Sequence, residues 1–178
     1  MVHGHGNLKF ASFGTRIISF LLDYVIISCY IILLIGLSFL AKPLLIPLFT
    51  TNAWSAEITG FFLITLPVYL YFAICEGSKS HATWGKRKMG IVVVGIHGQS
   101  LGLGRSLFRS ALKFIPWELA HFTIWHTVIP SGYPEYMIYS LFATVYGLVF
   151  VYLLCALISK NKQTVYDFIA GTAVSYKN

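Results

Sequence analysis

Apolar and polar positions divide the chain into long hydrophobic runs around one basic stretch. Residues 17–40 hold a single charged side chain, Asp23, and residues 58–75 hold none. Both approach or exceed the roughly 20 residues that cross a bilayer as a helix. Residues 136–158 form a third clear run, whereas 114–130 is apolar by count but carries Pro116, Glu118, His121 and His126. This segment is expected to be short, kinked or fed by the amphipathic helix that precedes it. Pro67 should kink the second run and free a carbonyl for a neighbour. Residues 43–57, with two prolines and Trp54, are expected to form an interfacial loop.

The stretch 77–113 is polar and basic, with Lys79, Lys86, Arg87, Lys88, Arg105, Arg109 and Lys113. The positive-inside rule makes it a cytoplasmic loop. Ile91–Ile96 is a short β-branched run, and residues 97–100 read as a turn, so a hairpin with residues 101–103 is expected. Arg105, Arg109 and Lys113 recur every fourth residue among apolar ones, the pattern of an amphipathic helix at the headgroups. Lys160, Lys162 and Lys177 place the tail on the same side as this loop, and Lys42 stands alone on the other. An even number of crossings between loop and tail gives about four membrane segments. The expected fold is a single-domain, all-α membrane bundle over 1–178, with a short hairpin, an interfacial helix and both termini cytoplasmic.

Composition agrees: 57% hydrophobic, 11% charged and a mean hydropathy of +0.73 exclude an ordinary soluble domain. The formal charge of +7 then reads as attraction to anionic lipid headgroups, and nucleic acid is not an expected partner. Lys86, Arg87, Lys88, Arg105, Arg109 and Lys113 are the candidate lipid-facing cations. Cys29, Cys75 and Cys155 lie in apolar runs without metal-ligand spacing and read as small buried residues. His3 and His5 read as part of a flexible tail. The run 17–40 is too long for a signal-peptide core, so it reads as a retained helix.

Arg16 and Asp23, seven residues apart, share a helical face with their Cα atoms about 10.5 Å apart. A charge near the centre of a membrane helix costs about 2.5–3.5 kcal/mol on insertion scales. Arg16, at a helix entrance, either snorkels as an anchor or pairs with Glu76, Glu118 or Asp167. Asp23 needs a cavity or a partner, in a functional or a structural role. Glu118 and His121 have the spacing that some di-metal bundles use, but a di-metal site needs two such motifs and further glutamates. With His126 they form a candidate pocket, and no metal or other cofactor is expected. Gly85, Lys86 and Gly90 lack phosphate-loop spacing, and no nucleophile elbow is present.

Arg16, Asp23, the block TWGKRKMGIVVV at 83–94 with Glu76 upstream, and KQTVYDFIAGTAV at 162–174 with Asp167 together resemble the RDD family of small bacterial membrane proteins. The family is named for one arginine and two aspartates, which here would be Arg16, Asp23 and Asp167. The third segment, with Trp117, Glu118, His121 and His126, departs from that pattern. The resemblance implies a bacterial cytoplasmic-membrane location and transport, with cation/proton antiport suggested for some members. Arg16, Asp23, Asp167 and Glu76 would then form an ion site for a monovalent cation or proton. Four short helices leave little room for a path, so a homo-oligomer is expected. The alternative is a non-transporting scaffold that binds anionic lipid or a protein. A metal-dependent enzyme built on Glu118, His121 and His126 is a third reading, and the overall expectation is a non-enzyme.

Overall fold

A computed structural model describes residues 8–177, so His3 and His5 lie outside the described residues. Ser12 opens the first helix, its hydroxyl accepting from the Thr15 N–H at 3.2 Å. Helix α1 then runs Phe13–Leu40. Its outward side chains stay apolar, with Leu21, Val25, Ile32 and Leu33 all exposed, as a lipid-facing helix requires.

The expected loop after α1 is instead a second helix, α2, Lys42–Thr50. Pro43 falls in its first turn, where a missing N–H breaks no intrahelical bond. Asn52 caps α3, Ala53–Gly60, and a π-helical turn at Phe61–Thr65 leads into α4, Leu66–Gly77. Pro67 has no N–H to give the Leu63 carbonyl four residues back. The Tyr30 hydroxyl supplies that hydrogen bond at 2.5 Å, so the freed carbonyl is met from α1.

After α4, Thr83 caps a short helix, α5, Trp84–Lys88, which packs on α1. Strand β1, Ile91–Gly95, follows. The hairpin expected with residues 101–103 does not form. Gly98, at φ 84°, makes the turn, but the chain then enters α6 at Leu103. β1 pairs antiparallel with β2, Thr172–Tyr176, in the register Ile91↔Tyr176 to Gly95↔Thr172. Phe10 bridges Ser175 on the far edge of β2. Leu101 does not extend a strand; it is buried with Ala11, Ile91, Val93 and Val174 in a small core.

In helix α6, Leu103–Val128, the basic amphipathic stretch and the third segment are one continuous helix, so of the expected alternatives the segment is the one fed by the amphipathic helix before it. It lies along α4 and α7, and the Ser106 hydroxyl donates to the Ala73 carbonyl at 2.7 Å. Helix α7 covers Glu135–Ile158, and α8, Val165–Ala170, ends at Gly171, whose φ of 61° suits glycine. Three helical stretches, Phe13–Leu40, Ala53–Gly77 and Glu135–Ile158, are long and apolar enough to cross a membrane. α6, 26 residues long, is not among them. The protein is thus a mostly helical membrane protein, with a small sheet near the start of α1, the end of α4 and the start of α6.

Candidate functional site

At that end of the bundle every long helix contributes a polar group or packs against one. Arg109, 2% exposed on α6, is the centre. Its Nη1 pairs with Glu76 Oε2 at 2.5 Å, its Nη2 lies 2.7 Å from Asp167 Oδ1, and its Nε donates to that same oxygen at 2.8 Å. Arg16 Nη1 meets the other Asp167 oxygen at 3.2 Å, and Lys86 Nζ lies 2.9 Å from Glu76 Oε1. One chain of charges therefore runs Arg16, Asp167, Arg109, Glu76, Lys86, tying α1, α8, α6, α4 and α5 together.

Asp167 is also the third residue of its helix and closes a capping box: its Oδ2 accepts from the Thr164 N–H at 3.2 Å and the Thr164 hydroxyl at 3.0 Å. Thr172 donates to Oδ1 at 3.1 Å. Burial alone would raise the Asp167 carboxyl, but Arg109 and then Arg16 outweigh it and hold the group below its ordinary value of 3.8. A depressed carboxyl contributes stability that is complete above its unfolded-state pKa and is lost as pH falls through its folded one. Thermal unfolding of detergent-solubilised protein should therefore fall in temperature as pH drops below the ordinary carboxylate range. Asp167→Asn should show a shallower acid decline from a lower starting stability, and an unchanged acid slope would refute the assignment.

Asp23 does not join this chain directly. Its Oδ1 accepts from the Tyr71 hydroxyl at 2.8 Å and the Gly85 N–H at 2.7 Å, and its Oδ2 from the Thr83 hydroxyl at 2.6 Å. Thr83 in turn accepts from the Lys86 N–H at 3.4 Å, which links Asp23 to the ion-pair chain through α5. The acids expected to form one cluster with Arg16 thus occupy two nodes. All six oxygens of Asp23, Glu76 and Asp167 have a donor or cationic partner.

Residues 10–171 match the RDD family, a span that takes in Arg16, Asp23, Glu76, Arg109 and Asp167. The chain belongs to the RDD family. No curated protein and no solved structure matches it.

In this RDD protein the six cations expected to face lipid headgroups divide. Arg87 and Lys88 are exposed on α5. Lys86 and Arg109 are buried in ion pairs, and Arg105 Nε donates to the Ala170 carbonyl at 2.7 Å. Lys113 points inward, its Nζ 3.1 Å from the centre of the Phe72 ring. The physical reason is that the acids Glu76 and Asp167 draw this face of α6 toward the protein. Of the three residues expected to form a pocket, Glu118 and His121 lie on one face, with His121 Nδ1 4.0 Å from Glu118 and 3.2 Å from the Thr65 hydroxyl. His126 lies apart, stacked on Phe122 and edge-on to Trp54. Glu57, buried on α3 and unforeseen in the sequence, is a neighbour of Glu118.

A cavity of about 390 Å³ lies directly beside the charge chain, within the range of small-molecule pockets. Its floor includes Arg16, Lys86, Arg109 and Lys113; its walls are apolar side chains of α1, α4, α6 and α7, among them Tyr24, Val68, Trp117 and Val149. The principal packing partner of α1 is α5, near its start, so its later turns leave this flank open. The sequence signal for the cavity was Lys113, which its spacing assigned to the lipid-facing surface.

Proposed function

We propose that this RDD protein is a small membrane carrier whose substrate is an anion held in the cavity, while the charge chain anchors the helices around it. The observation that carries this reading is the charge count at the cavity floor. Arg16, Lys86, Arg109 and Lys113 line the floor with four positive charges, the adjoining polar network of Asp23, Glu76 and Asp167 supplies three negative ones, and among the described residues Lys113 has no salt-bridge partner. A substrate that completes the balance is negative. Cation/proton exchange at Asp23, Asp167 and Glu76 has less support, because a cation would have to displace donors from filled carboxylates.

In this reading α6 is the fourth membrane segment, its buried charges facing the protein as intramembrane charges must. The protein sits in the cytoplasmic membrane of a bacterium with both termini inside. Arg87 and Lys88 face anionic headgroups at that surface, and a homo-oligomer encloses the open flank.

Proteoliposomes carrying the wild type and Val149→Trp, which fills the cavity, provide the test. Two probes are used, radiolabelled inorganic phosphate and a fluorescent short-chain phosphatidic acid. Transport of at least one is expected in the wild type and should fall to near the protein-free baseline in Val149→Trp, with thermal stability retained. Baseline rates for both probes in the wild type, or equal rates in the two proteins, would overturn the proposal. Cation-driven proton flux that disappears in a stably folded Asp23→Asn would establish antiport instead.

A further inference from the structure

We infer that the cavity takes an anionic amphiphile from the surrounding leaflet, with Lys113 as the ligand for its head group and the apolar wall of α1, α6 and α7 as the seat of its chain. This rests on the cavity being the substrate site, and it names the class of substrate.

Polarity is divided along the cavity. Cations gather at the floor, whereas Phe20, Ile27, Val145, Val149 and Leu153 line the rest. A small hydrophilic anion would match the floor and leave the apolar wall unfilled. A neutral lipid chain would match the wall and leave the charge unanswered. A molecule with one anionic head and one chain satisfies both ends.

The head-group end has two unfilled donors. The Lys113 ammonium carries three N–H bonds, and it sits over the face of Phe72 with no hydrogen bond to any of the described residues. That contact favours the charge but accepts no conventional hydrogen bond and supplies no counter-charge. Arg16 Nε, buried beside the same floor, also has no acceptor among the described residues. An oxyanion such as a carboxylate or phosphate offers acceptors for both. The route is sideways: Phe20, Trp117, Val149 and Leu153 line the cavity and are also among the exposed apolar side chains. A ligand already dissolved in the leaflet reaches the site without crossing the charge chain.

The test uses purified full-length protein in detergent and follows binding through tryptophan fluorescence, with Trp117 in the cavity wall. The probes are dodecanoate, dodecanol and inorganic phosphate. Saturable binding of dodecanoate is expected, with dodecanol and phosphate far weaker. Lys113→Met, which keeps the stem and removes the charge, should weaken dodecanoate roughly ten- to a hundred-fold. Lys88→Met, which neutralises an exposed cation, should leave it unchanged, and Val149→Trp should abolish it. Lys113→Gln serves as a second variant if Lys113→Met does not fold. Phosphate binding that depends on Lys113, without preference for dodecanoate, would overturn the amphiphile while leaving the anion carrier standing. Equal binding of dodecanol and dodecanoate, or equal losses in the Lys88 and Lys113 variants, would overturn the head-group role. No binding of any probe that Val149→Trp removes would overturn both readings.

Discussion

Arg109→Met should destabilise the protein by about 3–5 kcal/mol, the cost of removing one partner from a buried ion pair. The guanidinium touches both Glu76 and Asp167, and each carboxylate would keep only one cation, Lys86 or Arg16. Methionine matches the length of the stem, so the loss would report the charge and its hydrogen bonds. Arg109→Lys keeps the charge but cannot place three N–H donors on two acids in a fixed plane, and should recover only part of the stability. Thermal or denaturant unfolding in one detergent, with the three proteins side by side, measures this. If Arg109→Met unfolded within about 1 kcal/mol of the wild type, in the range of an exposed pair, the central role of Arg109 would be wrong.

Gly85→Ala should be comparably damaging, for a steric reason. A Cβ on Gly85 would lie 2.1 Å from the Ser19 carbonyl oxygen and 3.0 Å from both the backbone nitrogen and the Cγ of Asp23. Two of these are backbone atoms of α1 and cannot rotate away. The only relief is to push α5 off α1, which stretches the Gly85 N–H bond to Asp23 and the Thr83 bond beside it. A loss of more than about 3 kcal/mol is expected, or failure to accumulate in the membrane. Gly90→Ala is the control: nothing lies within 4 Å of a Cβ there, and its φ of 63° leaves only backbone strain, about 1–2 kcal/mol. Similar effects from the two substitutions would count against the close α1–α5 contact.

What was legible in the sequence follows the scale of each signal. Long apolar runs reveal α1, the α3–α4 stretch and α7, because their information is local and repeated. The partners of Arg16 were partly legible, since Asp167 was among a few acids at the right end of the chain. Arg109 was not identified as the centre. A cation at every fourth position among apolar residues looks the same whether it faces headgroups or acids. The deciding acids, Glu76 and Asp167, lie 33 and 58 residues away. Charge balance was the available clue: three acids near one membrane face and a single arginine assigned to them left cations to be found. β2 was hidden for a related reason. TAVSY has no strong alternation, and its partner β1 lies some 80 residues earlier, so the turn after β1 suggested a nearer mate.

The order in which the ion pairs can form is fixed by where their members stand in the chain. Asp167 follows Arg16 by 151 residues and Arg109 by 58, and β2 comes later still. While the chain is being made, α1, α4 and α6 are complete before the acid that joins two of their cations exists. Glu76 can hold Arg109 and Lys86 in the interval, but Arg16 waits for residues 164–176. The segment that closes the bundle is thus also its clock: Arg16 gains its partner only once residues 164–176 have been made.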